Sequence, residues 1–414
     1  MITVAKGEVL VKTPDPAGAV FGRTAYSRRA GLEMILQYQV QRMSDVSDED
    51  YFLWSEDNGR TWSQPVQIFS KSDTSKSQPI RLPSGDYIEG RANPFTGERI
   101  LFKMDRVKPE DMDSDILEMF QRQTSMQYAL STDDGRSHGP HRPIIKPGKE
   151  FSKTHPFDGL YLGKNQVYGI HTPLFLDQNT VLVPLEMSIL GEDGKIYNPC
   201  HCYDFDQIVV LIGHREGDGY AWDSGQPLRA DPHTQSTRGL SEPALARLDD
   251  ASVLMVLRGS NDNRPDLPSY KWFSVSRDRG KTWSPIAPWT YDDGQAFFSP
   301  SSISQIVRYS DGRLFWFGNI IPTNGQGNGP RYPLVVGEVD RKTGKLIRSS
   351  VATIADRTAG QSDRLQLSNF CIYEDRETRQ FVLDVTYFHP TGGKDRRGWS
   401  DAYTGDMFRF RISP

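Results

Sequence analysis

The chain has 414 residues, of which 36% are hydrophobic and 25% charged, so it can form a sizeable buried core and is not a disordered polypeptide. The 49 Lys and Arg residues against 53 Asp and Glu give a formal net charge of −4, which argues against a protein that binds nucleic acid or anionic membranes by overall charge. No stretch approaches the roughly 20 apolar residues of a membrane span, and the first residues lack the apolar core of a signal peptide. We expect a soluble protein, either cytoplasmic or exported with its leader removed.

An eight-residue pattern recurs along the chain. Residues 55–62 and 276–283 both read S-x-D-x-G-x-T-W, residues 131–138 repeat it with an altered end, and Gly219 and Trp222 keep only the spacing between its Gly and its Trp. In such a pattern Asp and Gly build a tight turn between two antiparallel strands, and the Asp and Ser side chains bond local backbone N–H groups. The pattern therefore predicts a fold element and not a catalytic device.

Between these turns the sequence predicts hairpins of two alternating apolar strands. In chain order the hairpins span residues 23–40, 86–103, 168–187, 240–258, 300–318 and 365–388. Four-stranded propeller blades of ~40 to 50 residues, enlarged by loops, fit this period, so the chain holds about six of them. The strand at 8–11 is expected to complete the last blade beside residues 407–410, which removes free sheet edges. Helical periodicity is sparse, with one candidate helix at 109–121.

The fold class predicted from these elements is all-β, with residues 1–414 forming a single six-bladed β-propeller domain. Strands of a blade alternate in direction, so the starts of first strands, the ends of second strands and the starts of third strands share one face of the ring. Glu242 opens the fourth hairpin and Arg258 ends it, while Arg331 starts a third strand in the fifth blade. We expect these three residues at one end of the central channel.

Other polar residues stand near predicted inner-strand ends and are further candidates for the site. Arg23 precedes the first inner strand, Asp86 and Arg91 flank the second, His171 opens the third and Asn369 opens the last. Several arginines that converge on a channel mouth bind a planar anion through bidentate guanidinium contacts, and a carboxylic acid among them handles protons. This arrangement predicts a site for a negatively charged ligand.

Cofactor motifs are not found in the sequence. There is no phosphate-binding loop, dinucleotide fingerprint or zinc motif, and Cys200, His201 and Cys202 lack a second ligand pair at zinc spacing. The chain has three cysteines, including Cys371, which are too few for a disulfide framework. We expect no cofactor, with a bound calcium ion left open, and neither a nucleic-acid nor a membrane partner.

The repeats at 55–62, 131–138 and 276–283 resemble the Asp boxes, or BNR repeats, of the six-bladed propellers of the sialidase superfamily. The resemblance spans nearly the whole chain. Sialidases open the fourth blade with an Asn/Ser-Glu motif and end the next strand with Arg, and Glu242, preceded by Ser, and Arg258 are similar to that pair.

The resemblance implies retaining hydrolysis, in which a tyrosine activated by glutamate attacks the anomeric carbon, an aspartate protonates the leaving oxygen and three arginines hold a carboxylate. Arg331 resembles the third arginine, whereas Arg23, in Arg-Thr-Ala, departs from the Arg-Ile-Pro motif of the first. Asp86 is similar in position to the acid/base aspartate. The tyrosine that opens the sixth blade is absent at 367–370, and Tyr387 and His389, at the end of the adjacent strand, are the candidate substitutes.

The sequence thus predicts a sialidase-like glycoside hydrolase with carbohydrate, an acidic-sugar-containing glycan, as its substrate. The catalytic candidates are Glu242, Asp86 and Tyr387, and the substrate-binding candidates are Arg23, Arg258, Arg331, Arg91, His171 and Asn369. Two alternatives stay open. A polysaccharide lyase on uronate glycans would use His171, Tyr387 or His389 to remove a carbon-bound proton. A lectin-like propeller would bind carbohydrate without turnover.

Overall fold

The computed structural model of the protein describes residues 1–15, 18–73, 78–107, 122–391 and 404–414. These residues form 28 β-strands and one 3₁₀ turn, Arg348–Ser350. The candidate helix at 109–121 lies outside the described residues. Within the described ranges, no helix has the length and apolar composition needed to cross a membrane.

Six antiparallel sheets of four or five strands form the blades of a propeller, and each runs from an inner strand A to an outer strand D. The first two strands in the chain, β1 Thr3–Val4 and β2 Glu8–Val11, belong to the last blade. Blade 1 contains β3 Ala19–Tyr26, β4 Met34–Gln41, β5 Glu49–Ser55 and β6 Val66–Ser70. A hairpin of β7 Arg81–Leu82 and β8 Gly85–Asp86 follows it. Blade 2 contains β9 Arg91–Ala92, β10 Arg99–Val107, β11 Arg122–Ser131 and β12 Arg142–Pro143.

The third blade has a divided inner strand. Its strands are β13 Val167–Ile170 and β14 Leu174–Phe175, which both pair with the second strand, then β15 Thr180–Ser188, β16 Asp206–Glu216 and β17 Gly219–Ser224. Blade 4 contains β18 Ser241–Arg247, β19 Val253–Arg258, β20 Lys271–Ser276 and β21 Ala287–Pro288. Blade 5 contains β22 Gln305–Arg308, β23 Leu314–Asn319, β24 Leu334–Val339 and β25 Ala352–Ala355.

The sixth blade closes the ring with both ends of the chain. It contains β26 Phe370–Glu374, β27 Phe381–Thr386 and β28 Met407–Ser413. The N-terminal strand β2 pairs antiparallel with β28, with Val9 opposite Phe408, as the sequence predicts. Because β26 and β27 also contact β3 of blade 1, the six sheets meet in a circle. The all-β class and the six-bladed propeller are confirmed.

The ring has two faces. We call the one that carries residues 55–62, 131–138 and 276–283, together with the A–B turns, the box face. The opposite face, where Glu242 starts a strand A and Arg258 ends a strand B, is the pit face.

Each Asp box is a turn held by its carboxylate. In the box at 276–283, Asp278 Oδ1 accepts hydrogen bonds from the Ser276 hydroxyl at 2.9 Å and from the Thr282 N–H at 2.8 Å. Gly280 has φ +91°, a conformation that glycine adopts at little cost, and its N–H donates to Ser276 Oγ at 2.8 Å. The other two boxes have the same bonds, so all three stabilise the fold.

The fourth candidate copy is a plain hairpin. Gly219 and Trp222 both lie in β17, and Gly219 pairs with Glu216 across a two-residue turn. Trp222 is buried against Tyr128 of blade 2, with the rings 5.3 Å apart. Similar apolar layers lie between blades 3 and 4, between blades 4 and 5, and between blades 5 and 6.

Candidate active site

Glu242 and Arg258 form an ion pair on the pit face. Arg258 pairs with Ser241 at the end of the β18–β19 ladder, and the register shifts after Ser241. Arg258 Nη1 lies 2.9 Å from Glu242 Oε1, and the two side chains are 14% and 21% exposed. The structure therefore brings together the two residues that the hairpin ends predict to be close.

The backbone of Glu242 adopts an unusual conformation. Its φ is +46°, in the left-handed region that residues with a Cβ seldom occupy and that clusters at functional sites. The N–H of Glu242 donates to Glu186 Oε2 at 3.0 Å. Glu186 lies near the end of β15, is 2% exposed, and its Oε2 also lies 3.2 Å from His171 Nε2. The Glu186 carboxylate thus stabilises the conformation that directs Glu242.

The charge state of Glu242 follows from two opposing effects. Burial raises the pKa of its carboxyl, but the ion pair and hydrogen bond with Arg258, with smaller contributions from His171 and Arg331, outweigh burial and lower the pKa below its usual value. Glu242 Oε2 is buried, and no side chain or backbone group in the described ranges hydrogen-bonds to it. The site therefore holds an ionised carboxylate with one oxygen left to accept a proton or a hydrogen bond.

Arg331 lies beside Arg258 through shared partners. Arg258 Nε donates to Ser301 Oγ at 2.8 Å, and Arg331 Nη2 donates to the Ser301 carbonyl oxygen at 3.0 Å. Asn328 joins the two arginines in the same way. Its side-chain oxygen accepts a hydrogen bond from Arg258 Nη2, and its backbone carbonyl oxygen accepts one from Arg331 Nε, both at 3.1 Å. The two guanidinium groups therefore form one positively charged patch next to Glu242.

Asn369 connects to this patch from blade 6. Arg331 Nη1 donates to Gln366 Oε1 at 3.2 Å and to Ser368 Oγ at 3.1 Å, and the Ser368 hydroxyl donates to Asn369 Oδ1 at 3.0 Å. The segment that replaces the sialidase tyrosine thus holds Arg331. All three guanidinium nitrogens of Arg331 already donate hydrogen bonds to protein groups, so a bound anion has to compete with these acceptors.

Lys271 is a residue of this region that the sequence analysis did not identify. It starts β20, pairs with Arg258 in the ladder, is fully buried, and its Nζ donates to the Ser302 carbonyl oxygen. Burial, with the nearby charge of Arg258, lowers the pKa of Lys271 to about 7. A lysine at a strand start usually faces solvent, so nothing in the sequence marked it.

His171 takes part in the site from a position that differs from the predicted one. The sequence predicts that it opens a strand, but it lies between β13 and β14, where its backbone N–H donates to the Pro184 carbonyl oxygen at 3.0 Å. This break in the inner strand leaves the ring in contact with Glu186.

Asp86 and Arg91 lie on the box face, so the prediction that they flank the site is wrong. The Asp86 carbonyl accepts a hydrogen bond from Arg28 at 2.9 Å, and Arg28 also donates to the carbonyl of Asp134 in the second Asp box at 3.0 Å. Arg91 pairs with Ile100 at the beginning of β10, which is the box-face end of that strand. The short strands around Asp86 form a hairpin between blades and not a blade strand of their own.

Arg23 and Tyr387 also differ from expectation. Arg23 does not precede β3 but is its fifth residue, where it donates to Gln37 Oε1 at 2.9 Å and forms an ion pair with Glu89. Tyr387 follows β27, but its ring packs on Phe408 at 4.4 Å, in the apolar layer between blades 5 and 6. Burial raises the pKa of Tyr387 to about 12, so its hydroxyl stays protonated and is not an activated nucleophile.

Two further acidic residues lie next to Glu186. One of its carboxylate oxygens lies within 4.8 Å of one oxygen of Asp204 and one of Asp206, which are equally close to each other. Burial raises the pKa of Asp206 well above its usual value, and the charges of Glu186 and Asp204 add to this effect. This cluster is the group of described side chains that could hold a metal ion.

A ring of six sheets with three Asp boxes and a glutamate–arginine pair on its pit face defines the class of the protein. The chain belongs to the family of BNR repeat-like domains, whose pattern matches residues 117–363, more than half of its length. This confirms the predicted resemblance to sialidase-like BNR propellers. No curated protein is similar enough in sequence to match.

Solved structures share the fold at low sequence identity. A protein of unknown function from Dyadobacter fermentans aligns with a TM-score of 0.55 and 14% identity over 100% of this chain and 99% of that chain. The NanB sialidase from Streptococcus pneumoniae aligns with a TM-score of 0.51 and 14% identity over 99% and 70%. The GH93 alpha-L-arabinofuranosidase of Fusarium graminearum gives 0.51 and 10% over 99% and 98%. The chain therefore has a fold that glycoside hydrolases use.

Proposed function

We propose that the protein is a glycoside hydrolase that acts on an acidic-sugar-containing glycan in the pit around Glu242, Arg258 and Arg331. The observation that carries the proposal is the ionised Glu242 carboxylate, paired with Arg258 through one oxygen and unpaired at the other. An arginine that holds the glutamate in its charged form keeps it ready to act as a base or nucleophile.

The preference for an acidic sugar rests on the patch of two arginines. Arg258 and Arg331 share Ser301 and Asn328 as hydrogen-bond acceptors, all of them uncharged groups. A sugar carboxylate is a stronger acceptor for a guanidinium than an amide or carbonyl oxygen, so it can displace them with a gain in bond strength.

Hydrolysis also needs a proton donor close to the ionised carboxylate. His171 is suited to this role because it shares the Glu186 carboxylate with the backbone of Glu242. Histidine is the side chain that most often transfers protons in general acid–base catalysis. Asp86 and Tyr387 have no part in this mechanism, since one lies on the box face and the other packs between blades.

The test is hydrolysis of aryl glycosides of a sialic acid, a uronic acid and neutral arabinofuranose by the wild type and by Glu242→Gln. We expect release from an acidic glycoside, reduced at least ~100-fold in the variant, which keeps the shape but cannot take a proton. Glu192→Gln, an exposed change of the same kind, should have no effect. Equal rates in wild type and Glu242→Gln would overturn the role of Glu242, and activity on the neutral sugar alone would overturn the acidic substrate.

A polysaccharide lyase is the second candidate, because a histidine held by a carboxylate beside two arginines is also an arrangement for removing the proton next to a uronate carboxylate. Incubation with uronate polysaccharides separates the two reactions, since elimination creates a conjugated double bond that absorbs ultraviolet light. Binding of the acidic sugar with no turnover of any substrate would show a carbohydrate-binding propeller instead.

A further inference from the structure

Three carboxylates meet at the pit-face end of blade 3. Glu186 is near the end of β15, Asp206 starts β16 directly opposite Ser188, and Asp204 precedes it by two residues. One carboxylate oxygen of each residue lies within 4.8 Å of one oxygen of each of the other two. Glu186 is 2% and Asp206 4% exposed, so water reaches two of the three groups very little.

Arg238 pairs with one member of this cluster, and the His171 ring lies against another. Arg238 Nε donates to Asp204 Oδ1 at 2.7 Å and Arg238 Nη2 to Asp204 Oδ2 at 2.6 Å. In the parts of the chain that the structure describes, no group donates a hydrogen bond to the Asp206 carboxylate. Asp206 is thus a buried acid without a hydrogen-bonding partner, directed at two other carboxylates.

A carboxylate removed from water with no partner is costly, and two neighbouring negative charges add to the cost. Apart from the His171 ring beside Glu186, the three carboxylates and the Arg238 guanidinium leave two negative charges when all are ionised. A divalent cation would balance that charge and supply the missing partner of Asp206 at the same time.

The available atoms determine the kind of cation. All three ligands are carboxylate oxygens, which Ca²⁺ and Mg²⁺ prefer, whereas transition metals favour histidine and cysteine. Oxygens on opposite sides of Ca²⁺ are about 4.6 to 5.2 Å apart and those around Mg²⁺ about 4.0 to 4.2 Å. Mg²⁺ gives up its water ligands reluctantly, whereas Ca²⁺ takes six to eight oxygen ligands in a flexible geometry, so a largely buried group of three carboxylates favours Ca²⁺.

We propose that Glu186, Asp204 and Asp206 form a calcium site at the pit-face end of blade 3. Glu186 Oε2 receives the Glu242 N–H, so a cation on the other oxygen of Glu186 would fix the carboxylate that positions Glu242. The site is separate from the glycosidase proposal, because ion binding is measured without any substrate.

The test uses full-length protein treated with EDTA and dialysed, with Tm followed as Ca²⁺ or Mg²⁺ is added. We expect a Ca²⁺-dependent rise in Tm of about 5 °C near saturation, and one Ca²⁺ ion bound per chain in equilibrium dialysis. Asp206→Asn should lose the response while its Tm without ions equals or exceeds that of the wild type, because the amide replaces a buried acid whose ionisation the two neighbouring carboxylates disfavour.

The exposed variant Glu192→Gln is the matched control and should respond to Ca²⁺ like the wild type. Equal Ca²⁺ responses in the wild type and Asp206→Asn would place the ion elsewhere and overturn the proposal. No response and no bound ion in the wild type would overturn it too, and a response to Mg²⁺ alone would overturn the assignment of calcium. Since none of these readings involves glycoside turnover, failure of the calcium site and failure of the proposed function are distinguishable.

Discussion

Replacing Arg258 by Met removes the cation that faces Glu242 and keeps most of the side-chain volume. Arg258 lies 2.9 Å from Glu242 Oε1 and donates to Ser301 Oγ at 2.8 Å and to Asn328 Oδ1 at 3.1 Å. Removal of one partner from a fully buried ion pair costs about 3 to 5 kcal/mol. Because Glu242 retains 21% exposure, we expect Arg258→Met to lower the free energy of unfolding at pH 7 by about 2 to 3 kcal/mol.

This loss of stability should depend on pH. Burial raises the pKa of the Glu242 carboxyl, and the nearby charges, mainly that of Arg258, lower it by more than burial raises it. In the wild type the folded pKa is below the unfolded one, so Glu242 stabilises the fold above the unfolded value and this contribution is lost as the pH falls. In Arg258→Met only the smaller contributions of His171 and Arg331 still oppose burial, so the folded pKa of Glu242 rises relative to the wild type and Glu242 stabilises the fold less at pH 7 than it does in the wild type. The stability difference between the two proteins should therefore narrow between pH 7 and about pH 4.

Urea unfolding of the wild type, Arg258→Met, Glu242→Gln and the double variant at both pH values measures this coupling. The cycle should give an interaction energy of about 1 to 3 kcal/mol at pH 7. The control is Arg264→Met, which breaks the 2.7 Å ion pair with Asp266. These two side chains are 39% and 61% exposed, so the loss of this pair should change the free energy of unfolding little. A loss no greater than in this control, or the same loss at both pH values, would refute the reasoning.

Three other variants test separate parts of the structure. Lys271→Met should raise the free energy of unfolding at pH 6 by about 1 to 3 kcal/mol, because it removes a buried ammonium. In urea unfolding this gain should shrink by pH 9, since the Lys271 pKa of about 7 leaves the folded lysine neutral there. Asp278→Ala removes the acceptor of the third Asp box and should cost about 1 to 2 kcal/mol in the same assay, with unchanged affinity for a ligand in the pit. Asp86→Asn should leave turnover of any identified substrate unchanged, because Asp86 lies on the box face.

The ring and the Glu242–Arg258 pair were predictable for the same reason. An Asp box identifies the turn between two outer strands. In a hairpin, residues at equal distances before and after the turn lie together at the end of the two strands away from the turn. Glu242 and Arg258 lie on either side of the turn at 249–250 at nearly equal distance, so an antiparallel ladder has to place them together.

Strand counting does not give the side of the blade on which a side chain lies. Successive residues of a strand point to opposite faces of the sheet, and in a propeller both faces turn toward neighbouring blades. Tyr387 is at the expected strand end, but its ring packs between blades 5 and 6. Glu186 and Asp206 were missed because each stands in or next to a long apolar run, where a single acidic residue carries no periodic signal.

The candidate site depends on the junction between blades 3 and 4 as much as on the strand that carries Glu242. The N–H of Leu240, two residues before Glu242, donates to the Asp206 carbonyl oxygen at 2.9 Å. Gly239 has φ +67°, and a Cβ there would lie 1.9 Å from that same oxygen, so a residue without a side chain is required for the approach. One blade thus holds the segment that leads into Glu242 through backbone bonds, and Glu186 of the same blade holds the Glu242 N–H. Because both contacts come from blade 3, any change that moves it relative to blade 4 must also move the carboxylate that faces Arg258.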